Sequence, residues 1–157
     1  MALPLRQAVR AVVIDDEAQL LLVRFQFADG PLWAAPGGGI EDGESHEEAI
    51  RRELQEEVGL DDVDVGPVVW KRTHVFPFSP EFGGQRETFY LIRGRGKAGL
   101  PAFSEHDLRA EGLTGSRWWT LPEIRHSSDR FAPKSIANLF ESLLTTGPPP
   151  EPIDTGE

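Results

Sequence analysis

Apolar residues in this chain fall into short runs of two periodicities, and the change from one to the other marks its elements. Ala8–Ile14 is apolar and β-branched, Asp15-Asp16-Glu17 reads as a turn, and Leu20–Phe25 is apolar again; together they predict a β-hairpin. Trp33-Ala34-Ala35 predicts a short third strand. The period then lengthens: Ile50, Leu54 and Val58 recur every four residues, the core-facing stripe of a helix. Ser45 followed by Glu48 is a capping box that starts this helix. Gly59 can take the left-handed conformation that ends it, with Leu60 folding back as the apolar contact. Val63–Val69 and Lys71–Phe76 predict extended segments interrupted at Gly66-Pro67, and Glu87–Ile92 a strand beyond a loop from Pro77 to Gly84. Gly94 to Gly112 is a long connection, of the kind that often carries function. Arg117–Thr120 predicts a short strand on which Trp118 and Trp119 face opposite sides. Leu121–Ile124 predicts a brief helical turn. Pro133 can sit in the first turn of a final helix striped by Ile136, Leu139, Phe140 and Leu143.

Strands alternating with a central and a C-terminal helix predict an α/β fold, a mixed sheet covered on both faces. Residues 1–146 form the predicted domain. From residue 147 the chain reads GPPPEPIDTGE, Pro-rich and polar, and is expected to be disordered.

The central helix carries the chemistry. Glu53, Glu56 and Glu57 stand at i, i+3 and i+4, neighbours on a helix surface, within an arc of roughly 100°. Three carboxylates that close repel one another, and a divalent cation reverses the sign of that interaction. Oxygen-only ligands suit Mg²⁺ or Mn²⁺ better than zinc. Arg52, four residues before Glu56, is placed to brace a ligand. Ahead of the helix, Pro36, Gly37, Gly38 and Gly39 are expected to form no stable regular element but to let backbone pass close to a ligand, with a main-chain carbonyl free to join the carboxylates. A run of acids on a helix is by itself usually a solvated face; the surrounding pattern separates the two readings.

That pattern resembles the signature of the Nudix hydrolase family. Gly38, five residues, Glu44, seven residues, Arg52-Glu53-Leu54, one residue, Glu56-Glu57, one residue and Gly59-Leu60 all stand in place. The resemblance implies an α/β/α sandwich with a mixed central sheet. It implies hydrolysis of a phosphoanhydride in a nucleoside diphosphate linked to another moiety, with Mg²⁺ (or Mn²⁺) as cofactor. Glu53, Glu56 and Glu57 match the family's metal positions, and Gly37 the glycine whose carbonyl joins them. Arg52 looks structural; Glu44 either assists through water or braces the loop–helix junction. The general base varies within the family. Here Glu111, shortly before Arg117-Trp118-Trp119, is the leading expectation, with Glu105 and Asp107 in the same connection, so the expected catalytic set is Glu53, Glu56, Glu57 and Glu111. For substrate, Phe27, Trp33, Phe76 or Phe78 can stack a base, and Lys71, Arg72 and Arg86 can hold phosphates. Many relatives are dimers, so a homodimer is a possible assembly. The competing reading is a catalytically silent module of the same fold that senses a nucleotide.

Composition narrows this further. At 157 residues and 17.4 kDa the chain fits one domain with one substantial core. Zero cysteines exclude disulfides and thiolate chemistry, and His46, His74, His106 and His126 show no zinc spacing. No apolar run is long enough to span a bilayer and no signal-peptide order appears, so a cytoplasmic location is expected. A net charge of −10, with acids concentrated in residues 41–62, argues against a long nucleic-acid partner. It leaves room for a single nucleotide, whose short phosphate chain a metal can neutralise locally.

Overall fold

A computed structural model describes residues 2–77, 79–94 and 103–156. The expected hairpin forms as β1 (Arg6–Ile14) and β2 (Leu20–Phe27), followed by β3 (Gly30–Ala34). Next come β4 (Gly37–Gly39), α1 (His46–Val58), β5 (Val63–Val75) and β6 (Gly84–Gly94). After these stand α2 (Glu105–Ala110), β7 (Leu113–Trp119), α3 (Leu121–His126), β8 (Arg130–Ala132), α4 (Ile136–Thr146) and β9 (Ile153–Asp154).

The strands form one mixed sheet in the order β8-β3-β2-β1-β6-β5-β9, with β4 also paired to β1 and β7 to β2. β1 runs parallel to β6 and antiparallel to β2. Two apolar layers cover the two faces. Val9, Ala11, Val13, Leu21 and Ile92 pack under α1 through Ala49, Ile50, Leu54 and Val58. Val12, Leu20, Leu22, Trp70 and Trp119 pack under Ile124 of α3 and under Ile136, Leu139, Phe140 and Leu143 of α4. This is the expected α/β/α sandwich. Strand alternation assigns the two tryptophans as predicted: Trp119 lies in the α4 layer and Trp118 against the α1 layer.

α1 is bounded as its sequence predicts. Glu48 N–H donates to Ser45 Oγ at 3.1 Å, Ser45 N–H donates to Glu48 Oε1 at 3.0 Å, and Gly59 closes the helix at φ 67°.

Several local expectations are corrected. The glycine run is itself a strand, because β1 offers it backbone partners: Ala8, Val9 and Arg10 face Gly39, Gly38 and Gly37. β5 continues through Gly66-Pro67, which is absorbed as shifts of register against β6 rather than as a break. The long connection holds a helix, α2. Pro133 lies ahead of α4 rather than in its first turn, and its carbonyl accepts from Ile136 N–H at 3.1 Å. β8, three residues long and too short for a periodicity to predict, pairs with β3. The Pro-rich tail is not without structure: Ile153 and Asp154 pair with Trp70 and Lys71 of β5, and Thr155 N–H donates to Lys71 O at 2.9 Å. Among the described residues, no helix is long and apolar enough to cross a membrane.

Because α1 sets the acid positions, its cap is expected to contribute measurably to stability. Ser45→Ala should lower the unfolding free energy by about 1 kcal/mol in urea titrations, with the slope unchanged.

Candidate active site

β1 is in ladder register with β2 at Ile14 and Leu20, then diverges from it to pair with β4. The opening so made is a cavity of about 760 Å³. One end is acidic, carrying Glu53 and Glu57 of α1 and Glu111 just after α2. Arg6, Arg10, Arg72, Gln85 and Glu87 form its polar floor, and Phe25, Phe27, Phe76 and Phe89 its aromatic walls.

The acidic end is held by one arginine. Arg52 Nε donates to Glu44 Oε2 at 2.7 Å and Nη2 donates to Glu44 Oε1 at 2.9 Å. The same Nη2 donates to the Gly39 carbonyl at 3.1 Å, while Nη1 lies 3.0 Å from Glu53 Oε1 and 3.5 Å from Glu56. Glu44 is therefore the brace of the loop–helix junction, one of the two roles open to it. Arg52 holds its carboxyl down to about 2. Glu57 turns the other way and accepts from Gly37 N–H at 3.0 Å.

The glycines are required by contact. Gly37 has φ 151°, and a Cβ there would fall 2.0 Å from the Val9 carbonyl oxygen. A Cβ on Gly38 would meet Glu53 Oε1 at 2.6 Å, so the carboxylate lies directly against that backbone.

Glu53 and Glu57 are buried, at 6% and 5% exposure. Burial raises the Glu53 carboxyl, with Arg52 opposing. Burial raises Glu56 as well, again against Arg52. Glu57 is pushed up to about 8, by burial first and the Glu53 charge second. The folded, metal-free chain thus binds a proton here that the unfolded chain releases. This pair costs stability increasingly as pH rises from the ordinary carboxylate range toward 8.

Glu111 alone of the three candidate bases lines the cavity together with the acid pair. Glu105 pairs with Arg109 on the surface at 3.2 Å, and Asp107 is taken up in the capping box of α2, its carboxylate accepting from Ser104 N–H at 3.4 Å. Phe76 lines the cavity with its ring 4.4 Å from that of His74, and Phe27 stands on the wall, 51% exposed. Arg72 reaches the cavity floor. Arg86, Lys71 and Trp33 do not line the cavity. Arg86 alternates with Gln85 and Glu87 and so points from the opposite face of β6, exposed. Lys71 is exposed on β5. Trp33 is core, edge-on to Trp119 at 5.1 Å, with its Nε1–H donating to Asp129 Oδ2 at 3.0 Å. Phe78 lies outside the described residues.

Sequence reasoning missed Arg10 and Glu87. Arg10 Nε donates to Glu87 Oε2 at 2.6 Å, and its Nη1 donates to the Gly37 carbonyl at 3.1 Å. Arg72 Nη1 donates to Glu87 Oε1 at 2.7 Å. Despite burial, Arg10 and Arg72 hold Glu87 below its ordinary value, so it is ionised. The available signal was a lone charge inside the apolar run Ala8–Ile14, since an unpaired buried arginine is costly.

A NUDIX-domain family model matches residues 4–140. The chain belongs to the Nudix family. Among curated relatives, an RNA pyrophosphohydrolase of Saccharophagus degradans is 38% identical over 97 residues, 56% of this chain and 56% of that protein. The chain thus spans little more than half of that relative's length. Nudix hydrolase 25 of Arabidopsis thaliana is 32% identical over 128 residues, covering 71% of this chain and 73% of the other. Among solved structures, the NUDIX domain of Shewanella oneidensis NrtR, crystallised with ADP ribose, superposes with TM-score 0.63 at 19% identity, covering 90% of this chain and 89% of that one. That likeness is one of fold.

Nudix hydrolases generally need a divalent metal, and the donor chemistry here fits one: all-oxygen ligands, two of them buried carboxylates whose mutual repulsion a cation relieves. The side-chain placement differs from the expectation of three gathered acids. Glu53 and Glu56 face Arg52 while Glu57 faces Gly37. Among the described residues, no three acidic or histidine side chains stand together in ligating geometry.

Glu44 gives this Nudix site a pH signature. Its folded-state value is depressed, so the stability it contributes is present above the ordinary carboxylate value and is lost as pH falls toward 2. Glu44→Gln should cost about 1.5–3 kcal/mol near neutral pH in denaturant titrations. The difference from the parent should vanish near pH 2.

Proposed function

We propose that the protein is a pyrophosphohydrolase that cleaves a phosphoanhydride in a nucleoside diphosphate linked to another moiety, using Mg²⁺, with Mn²⁺ as a substitute. The observation that carries this reading is the joining, in one cavity, of a buried carboxylate pair with a floor of guanidinium groups and aromatic walls. A cavity of about 760 Å³ lies within the range that takes ligands of nucleotide size.

Glu53, Glu56, Glu57 and the Gly37 carbonyl are the proposed ligands. A divalent ion there supplies neutralisation of phosphate oxygens and a more acidic water. The chain's own groups do the rest. Arg72 offers guanidinium donors to phosphate oxygens, and Phe76 offers a ring face to a base. Glu111, at the acidic end of the cavity, takes a proton from the water whose oxygen forms the new bond to phosphorus, as the bridging P–O bond breaks. Arg52 and Glu44 keep the acid helix in register with the glycine strand.

The test is product release from a panel: ADP-ribose, a nucleotide sugar, a dinucleoside polyphosphate, an oxidised nucleoside triphosphate and a 5′-triphosphorylated oligonucleotide. Turnover of at least one, abolished by EDTA and by Glu57→Gln, is the expected result, with kcat lowered about 10²–10⁴-fold by Glu111→Gln. Turnover that survives both EDTA and Glu57→Gln overturns the assignment.

A further inference from the structure

Glu87 sits on the cavity floor at 3% exposure, and each of its oxygens is held by a different strand. Arg10 comes from β1, on one side of β6; Arg72 comes from β5, on the other, directly opposite Glu87 in register. The two guanidinium groups differ in what else they hold. Arg10 continues to the carbonyls of Gly37, at 3.1 Å, and Ala35, at 3.4 Å, so it clamps the strand that also holds Glu57. Arg72 gives Nη1 to Glu87, while its Nε is buried without a hydrogen bond among the described residues. A guanidinium carries five N–H donors, so the remaining Nη donors of Arg72, which lines the cavity, retain capacity for an anion there.

A buried Arg–Glu–Arg triad is weak grounds for stability, since apolar replacements of similar volume are often as stable or more so. Its placement between the two working ends is better explained by orientation. The carboxylate also offsets the positive charge of Arg10, which otherwise faces the glycine carbonyl and the acids where a cation must bind.

We propose that Glu87 is a positioning residue that couples the two halves of the site. Through Arg10 it fixes the glycine strand at the metal-binding end, and through Arg72 it aims a guanidinium at the substrate's phosphates. This rests on the pyrophosphohydrolase reading for the identity of the two ends.

Two binding measurements, made without turnover, separate the arms: Mn²⁺ affinity of the nucleotide-free protein by electron paramagnetic resonance, and ADP affinity in EDTA by calorimetry. Circular dichroism and thermal melting of each variant establish that it is folded. Arg10→Lys should weaken Mn²⁺ about 10-fold and leave ADP unchanged; Arg72→Lys should do the reverse by a similar factor. Glu87→Gln should weaken both, and Glu87→Asp, which keeps the charge, should recover part of each. With a substrate found, Arg72→Lys should act on KM and Arg10→Lys on kcat. A folded Glu87→Gln protein with both affinities unchanged overturns the proposal. If Glu87→Gln does not fold, the two lysine variants decide alone: separate effects support it, and the same effect from both overturns it. A parent protein that turns over no nucleotide sinks the enzymatic reading, while the two affinities still decide the role of Glu87.

Discussion

Burying two carboxylates within one turn of helix is opposed twice, by lost hydration and by mutual repulsion, and the site depends on the charges that answer both. Arg52 meets Glu53 and Glu56 from the helix side, and Arg10 meets the Glu57 end from the sheet. Each arginine is in turn held by a carboxylate, Glu44 for Arg52 and Glu87 for Arg10. Neither arginine therefore acts as a loose counter-ion. Each also grips backbone, Arg52 at Gly39 and Arg10 at Gly37, so the glycine strand is pinned at both ends by the groups that stabilise the acids.

The sheet supplies the space. One edge of β1 is shared between two partners, β2 at its end and β4 nearer its start, while the other edge pairs with β6 throughout, and that division opens the cavity. Alternation along β1 and β6 then sorts one sheet face into two zones. Val12, Phe89 and Leu91 continue the α4 layer, and Arg6, Arg10, Gln85 and Glu87 stand in line with them as the cavity floor. One face is thus core at one end and site at the other.

What could be read from sequence was what is local in the chain. The capping box, the apolar stripe of α1, the acid spacing and the opposed tryptophans are each set by residues within a few positions of one another. The departures come from distant pairing. The Gly37–Gly39 segment becomes a strand only because β1 lies beside it, β8 only because β3 does, and the tail only because the outer edge of β5 accepts it. The Arg10–Glu87 contact joins positions 77 apart, and no spacing rule reaches that far. Trp33 shows the converse error: its ring suits a base, but Asp129 and Trp119 claim it for the core.

The tail has a consequence of its own for association. An outer strand presents a row of unmet amide and carbonyl groups, a template on which a foreign strand can lengthen the sheet. Ile153 and Asp154 occupy that template at Trp70 and Lys71. Any chain seeking to add itself at that point must first displace a segment tethered to the same molecule, and a tethered competitor is present at high local concentration.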